Sequence, residues 1–191
     1  MFRFRSIISA CLFLAITVGV VMMSPVSAPS WTHVLAETAP RPVQGDRLFL
    51  KIDGVDGEAT ETDHVGDLAV QSFAWSESRS TDSSAKAQIK DFHIVTALDK
   101  SSPLLMRKSV ARERIAKVTL TVRNSVGQDY SKWTLGDVFV TSFAIEDTWG
   151  QSKPKVTFDL NFGKIDAEYR PQLYTGGLGP AVKAGWDAKG G

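Results

Sequence analysis

The sequence predicts a mainly β protein, a two-sheet β-barrel or sandwich with one flanking α-helix. Three observations carry that reading. From Leu48 onward, apolar residues recur at every second position in one segment after another. Glycine, proline, asparagine and aspartate punctuate these segments as turn formers. A single segment, from Ser101 to Ala111, opens with helix-start signals. The chain has 191 residues, which suits one domain. A domain of ~150 residues buries roughly 70% of its unfolded surface, enough for a core without staples.

The first residues stand apart from that core. Phe2-Arg3-Phe4-Arg5 supplies a cationic start, and Ile7 to Met23 follows without a charge. Small residues come next, at Ser24 to Ala28 and again at Val34-Leu35-Ala36. That layout is a secretory signal peptide over residues 1–36, with an uncleaved anchor as the alternative. Pro29 hinders cleavage after Ala28, so Ala36 is the better site. Ile8-Ser9-Ala10-Cys11 looks like a lipoprotein box, but the apolar stretch lies mostly after the cysteine, and the match reads as accidental. Removing residues 1–36 takes away two of the 22 basic residues and none of the 21 acidic ones, leaving a net charge of −1. It also removes Cys11, the chain's one cysteine, so no disulfide framework or thiolate zinc site remains. Near-zero charge argues against nucleic acid as a partner, and against the membrane except through the leader. The expected location is secreted or periplasmic.

Residues 37–46 are polar and proline-rich and read as a linker; the folded domain is expected over 47–188. Leu48, Leu50 and Ile52 alternate with Phe49 and Lys51 as the first strand. Asp53-Gly54 and Asp56-Gly57 are turns, and a polar loop from Glu58 to Gly66 leads to a strand over Leu68 to Trp75. Ser76 to Ser84 is a serine-rich loop. Ala87 to Val95 alternates as a third, long strand. Ser101 is the predicted helix cap, with Pro103 at the first helical position and helix through Ala111. Ile115 to Arg123 returns to alternation, and Asn124 to Tyr130 is a turn. Asp137 to Ile145 is a strand with Val138 and Val140 on one face and Phe139, Phe143 and Ile145 on the other. Glu146 to Pro154 is a loop. Lys155 to Tyr169 is one long strand or two short ones broken near Gly163. Pro171 to Pro180 is a turn or loop, and a last short strand surrounds Trp186. The expectation is seven to nine strands and one helix.

The residues offer no catalytic constellation. His33, His64 and His93 are too far apart for a His-Glu-x-x-His metal motif. Asp53, Asp56 and Glu58 lack the spacing of a calcium loop. Ser83-Ser84-Ala85-Lys86 matches Ser-x-x-Lys but precedes a strand and has neither partner motif. Gly150-Gln151-Ser152 is no nucleophile elbow, and Gly176 to Gly179 does not join a strand to a helix. Arg107, Lys108, Arg112 and Arg114 read as a solvated helix end. No enzyme activity, cofactor or metal is expected. Long strands with free edges instead invite pairing with further copies. A secreted monomeric binding module is the alternative, its edges blunted by Lys86, Lys90 and Lys117.

The chain resembles the Hcp family, the haemolysin-coregulated proteins of the type VI secretion system. The resemblance starts at Leu48-Phe-Leu-Lys-Ile-Asp-Gly-Val-Asp-Gly-Glu58 and runs through Asp63-His64, Phe73-Ala-Trp75 and Asp91-Phe-His93. It continues in Leu98 to Pro103, Val118 to Arg123, Leu135 to Thr141, Leu160 to Ile165, Tyr169 to Gln172 and Gly185-Trp-Asp187. It implies a compact barrel whose copies close into homo-hexameric rings. Those rings stack into a tube that is expelled and carries small effector proteins. Ring closure takes one surface and stacking a second. Glu58, Thr60, Asp63 and His64 are the candidate stacking residues, and Asp147, Trp149 and Lys153 form the second candidate loop. The leader departs from the family pattern, whose tube-forming members are loaded from the cytoplasm, so the expectation is a tube subunit or an exported relative of one.

Overall fold

The computed structural model describes residues 45–78, 88–147, 149–150 and 152–187. The expected signal peptide and residues 37–44 of the expected linker lie outside them. So do Lys86 and most of the serine-rich loop.

Ten strands and one helix follow in order: β1 (Arg47–Ile52), β2 (Leu68–Ala74), β3 (Glu77–Ser78), β4 (Gln88–Ile89), β5 (Phe92–Ala97), α1 (Ser102–Ala111), β6 (Ile115–Arg123), β7 (Asp129–Glu146), β8 (Lys155–Asn161), β9 (Lys164–Tyr169) and β10 (Val182–Asp187). Every pairing is antiparallel. The strands β7-β6-β1-β2-β5-β8 run in that order, and β8 pairs back onto β7, closing a six-stranded barrel. Closure removes the free edges that an open sheet would carry. β9 and β10 continue outward from the first half of β7 as a flap, and β3 and β4 form a separate two-stranded ribbon.

Alternation puts one face of each strand inside. Leu50 and Ile52, Phe92 and Ile94, Val118 and Leu120, and Val156, Phe158 and Leu160 are all buried in one core. Burying each such side chain is worth about 1.5–3 kcal/mol. Trp75, Trp133, Phe92 and Phe162 pack on one another where β2 ends, with ring centroids between 5.8 and 6.4 Å apart. α1 packs on β7 and sends Leu105 into the core.

The structure corrects several expectations. The third strand is broken at Lys90-Asp91 into β4 and β5, and only β5 joins the barrel. β7 starts eight residues before the expected strand, at Asp129 rather than Asp137. Its two halves serve different neighbours, β6 and β9 first and β8 second. Asp137 sits at φ 54°, and the buried positions change parity across it, from Leu135 to Val138. A second irregularity lies between Val140 and Ser142, so Phe143 pairs with Phe158 and packs on the core with Val138 and Val140 rather than opposing them. Lys155 to Tyr169 is two strands, β8 and β9. Lys117 belongs to β6, an interior strand of the barrel, and so blunts no edge.

The helix is where the sequence puts it, but its cap differs. Ser101 is itself helical in backbone and makes no side-chain cap bond. Its hydroxyl donates to Asp99 Oδ1 at 2.5 Å, and the same oxygen accepts the Ser101 N–H at 2.9 Å. Asp99 therefore holds the helix start. At the other end Arg112 adopts a left-handed conformation at φ 50°, and the Glu113 N–H closes on the Lys108 carbonyl at 3.0 Å. Lys108 is buried and its ammonium donates to Glu113 at 2.6 Å. That bond holds the Glu113 carboxyl below its usual range.

Candidate interaction surfaces

The loop between β1 and β2 folds back against the barrel wall. The Gly57 N–H meets the Gly66 carbonyl at 2.8 Å, the Gly66 N–H meets Ala59 at 2.9 Å, and the Ala59 N–H meets Asp67 at 3.0 Å. A side chain at Gly57 would place its Cβ 2.4 Å from the Asp67 carbonyl oxygen, so the close approach requires glycine. The fold-back lays His64 on Phe49, an outward-facing side chain of β1 that is nevertheless buried.

Charged groups pin this arrangement. His64 Nδ1 lies 2.9 Å from Asp67 Oδ2, and Nε2 lies 3.2 Å from Asp129 Oδ1. Arg123, on the outer face of β6, donates from Nε to Asp129 at 2.6 Å, from Nη1 to the Thr62 carbonyl at 2.8 Å and from Nη2 to Asp63 at 3.1 Å. Arg47 donates to Glu61 at 2.5 Å. Burial works against the Asp129 carboxylate, but the bonds from Arg123 and His64 outweigh it and hold the carboxyl below its usual range. The Asp129 bond in turn keeps the Arg123 guanidinium above its ordinary value. Tyr130 donates to Asp46 at 2.5 Å, which pushes the phenol up to about 12.

The predicted stacking residues therefore separate. Glu58, Thr60 and Asp63 are exposed, whereas His64 is buried and serves as a pin for the loop. In the β7–β8 hairpin Asp147, Trp149 and Lys153 are exposed, and the Trp149 side chain is fully so. The two candidate loops meet: Glu58 accepts the Lys100 N–H at 3.2 Å and pairs with Lys153 at 3.7 Å.

Two surfaces escape a reading of the sequence. The flap has one polar and one apolar face. Register aligns Val182 with Tyr169, Ala184 with Ala167 and Trp186 with Ile165 on the apolar side. Trp133 lies beside Ala167 on β7. The other face carries Lys132, Thr134, Asp166, Glu168 and Lys183. The second is an apolar slot of about 240 Å³ between Trp75, Glu77, Ile89, Ile165 and Trp186. These residues come from four separate stretches of chain, so no local motif announces the slot.

On the outer wall His93 Nδ1 meets Asp159 at 2.6 Å, and Asp91 accepts from Thr141 at 2.6 Å and Asn161 at 2.8 Å. Among the described residues no group of three or more histidine, cysteine or acidic side chains is placed to hold a metal ion.

The family model described as "Type VI secretion system effector, Hcp" matches residues 49–169. Protein hcp1 of Pseudomonas aeruginosa is 27% identical over 155 residues, covering 74% of this chain and 94% of that protein. The crystal structure of Hcp1 from Salmonella typhimurium superposes with a TM-score of 0.66 at 25% identity, covering 76% of this chain and 96% of that one. A type VI secretion system effector from Yersinia pestis shares the fold, with a TM-score of 0.63 at 24% identity over 73% of this chain and 98% of its own. A closed barrel with a flanking helix, matched by sequence across most of its strands, places this chain in the Hcp family of type VI secretion proteins.

Proposed function

We propose that this protein is the ring-forming subunit of a type VI secretion tube, closing as a homo-hexamer and carrying small effector proteins in the bore of stacked rings. Family membership supports the secretion role, and the family is one of structural secretion proteins rather than enzymes. The observation that carries ring closure is the edge of β10. The barrel closes on itself, so β10 is the one strand of the eight-stranded sheet with an unpaired side among the described residues. It presents exposed Val182 and Ala184 and part-exposed Trp186 along one face. A free edge with an apolar face favours a copy-to-copy contact, and a head-to-tail contact that rotates by a fixed angle closes into a ring.

The exposed residues Glu58, Thr60 and Asp63, and the hairpin residues Asp147, Trp149 and Lys153, are the candidates for contacts between rings; His64 contributes by holding its loop in place. Residues 1–36 act as an export leader, which places the mature chain outside the cytoplasm. Native mass and electron microscopy of the exported protein test the assembly. Six-subunit rings are expected, and Ala184→Asp, on the flap and away from the core, reduces them to monomers without unfolding the barrel. A strictly monomeric wild-type protein at high concentration overturns the reading. N-terminal sequencing of the same material tests the leader, with a start at Glu37 expected.

A further inference from the structure

The slot and the exposed Trp149 lie at opposite ends of the barrel. β5 and β8 run between them. At one end Lys155 pairs with Ala97, and Glu146 of β7 pairs with Lys155, so the hairpin bearing Trp149 leaves from there. At the other end Asp159 pairs with His93, and His93 pairs with Ala74, the residue before Trp75. One end thus carries a fully exposed aromatic side chain and the other an apolar hole of about 240 Å³. A surface knob and a hole on different parts of one molecule join copies head to tail.

Two further observations suit the same occupant. The indole N–H of Trp75, at the wall of the slot, is buried and has no acceptor among the described residues. An incoming loop brings acceptors in its own backbone carbonyls. The rims also complement each other in charge. Glu77 lines the slot and exposed Lys90 follows Ile89, while exposed Asp147 and Lys153 flank Trp149.

We propose that Trp149 of one copy seats in the slot between Trp75, Ile89, Ile165 and Trp186 of the next, joining barrels end to end. This rests on the ring reading above and names the contact between successive rings. A tryptophan in an apolar socket ringed by polar groups is the usual form of an interface anchor. The closing residue pairs are Asp147 with Lys90 and Lys153 with Glu77.

Disulfide trapping tests it. The full chain with its single cysteine removed, Cys11→Ser, receives Glu77→Cys and Lys153→Cys together, and native mass is measured in parallel. Mild oxidation is expected to give a ladder of linked multimers, while either cysteine alone gives dimers at most. Adding Trp149→Ala is expected to cut the ladder about tenfold or more, and Trp149→Phe to restore most of it. Absence of a ladder, or a ladder unchanged by both Trp149→Ala and Trp186→Ala, overturns the contact. Rings without a ladder sink this contact alone, whereas a ladder from protein that forms no rings upholds the contact and sinks the ring reading.

Discussion

His64 lies flat on Phe49, with ring centroids 4.2 Å apart and planes 3° from parallel. The stack covers an apolar side chain that β1 points away from the core, and two carboxylates fix the covering ring. His64→Ala uncovers Phe49 and strips Asp67 and Asp129 of a donor. The expected loss is about 2–4 kcal/mol of stability in denaturant unfolding, with faster amide exchange over residues 57–67. Unchanged exchange there would show that the loop is held by its backbone bonds alone.

Arg123 donates to three residues in two parts of the molecule: Asp129 on β7, and Thr62 and Asp63 in the loop. Arg123→Met keeps the stem and removes every donor. Asp129 is left against a buried apolar group, and a loss of about 3–5 kcal/mol is expected in chemical denaturation. The double variant Arg123→Met with Asp129→Asn recovers part of that loss, because no uncompensated carboxylate remains.

Asp129 also sets an acid limb. Its folded carboxyl lies below the usual range because Arg123 and His64 donate to it, while in the unfolded chain it titrates normally. Between those two values the unfolded state binds a proton that the folded state does not. Stability is therefore full above the unfolded value and falls as pH drops through the folded one. Denaturant midpoints measured across the acid range show this limb, and Asp129→Asn flattens it.

The phenol of Tyr130 gives the opposite sign at high pH. Asp46 pushes it up to about 12, so the folded state keeps its proton longer than the unfolded chain does. The stabilisation is complete below the unfolded value near ~10 and is lost as pH rises toward 12. Phenolate absorbance detects the late titration of Tyr130, and Asp46→Asn brings it back toward the ordinary phenol value.

The helix start is a further test. Asp99 accepts from the Ser101 backbone and hydroxyl, so Asp99→Ala is expected to cost about 1–2 kcal/mol. Ser101→Ala, at the position the sequence marks as the cap, costs less, because Ser101 caps nothing with its own oxygen. Paired thermal melts of the two variants decide the order.

Period-two alternation reveals β1 and β8 from residues such as Leu48, Leu50 and Ile52, because each keeps one face in the core throughout. β7 is hidden by its own irregularities. Trp133 and Leu135 share one parity, and Val138 and Val140 the other, with Asp137 at positive φ between them. Chain-local patterns carry no record of such a switch. The interaction surfaces are less legible still. Trp75, Ile89, Ile165 and Trp186 meet only once the barrel closes and the flap curls beside its mouth. His64 reads as a loop residue, and what makes it a pin, Asp129, lies 65 positions away.

β7 belongs to the barrel wall through β6 and β8 and to the flap through β9, in one unbroken run of 18 residues. A pull along that run loads the hydrogen bonds of three neighbours in shear, so they must yield together rather than unzip one by one. Traction applied to β10 passes through its ladder with β9 into β7, and so into the cylinder.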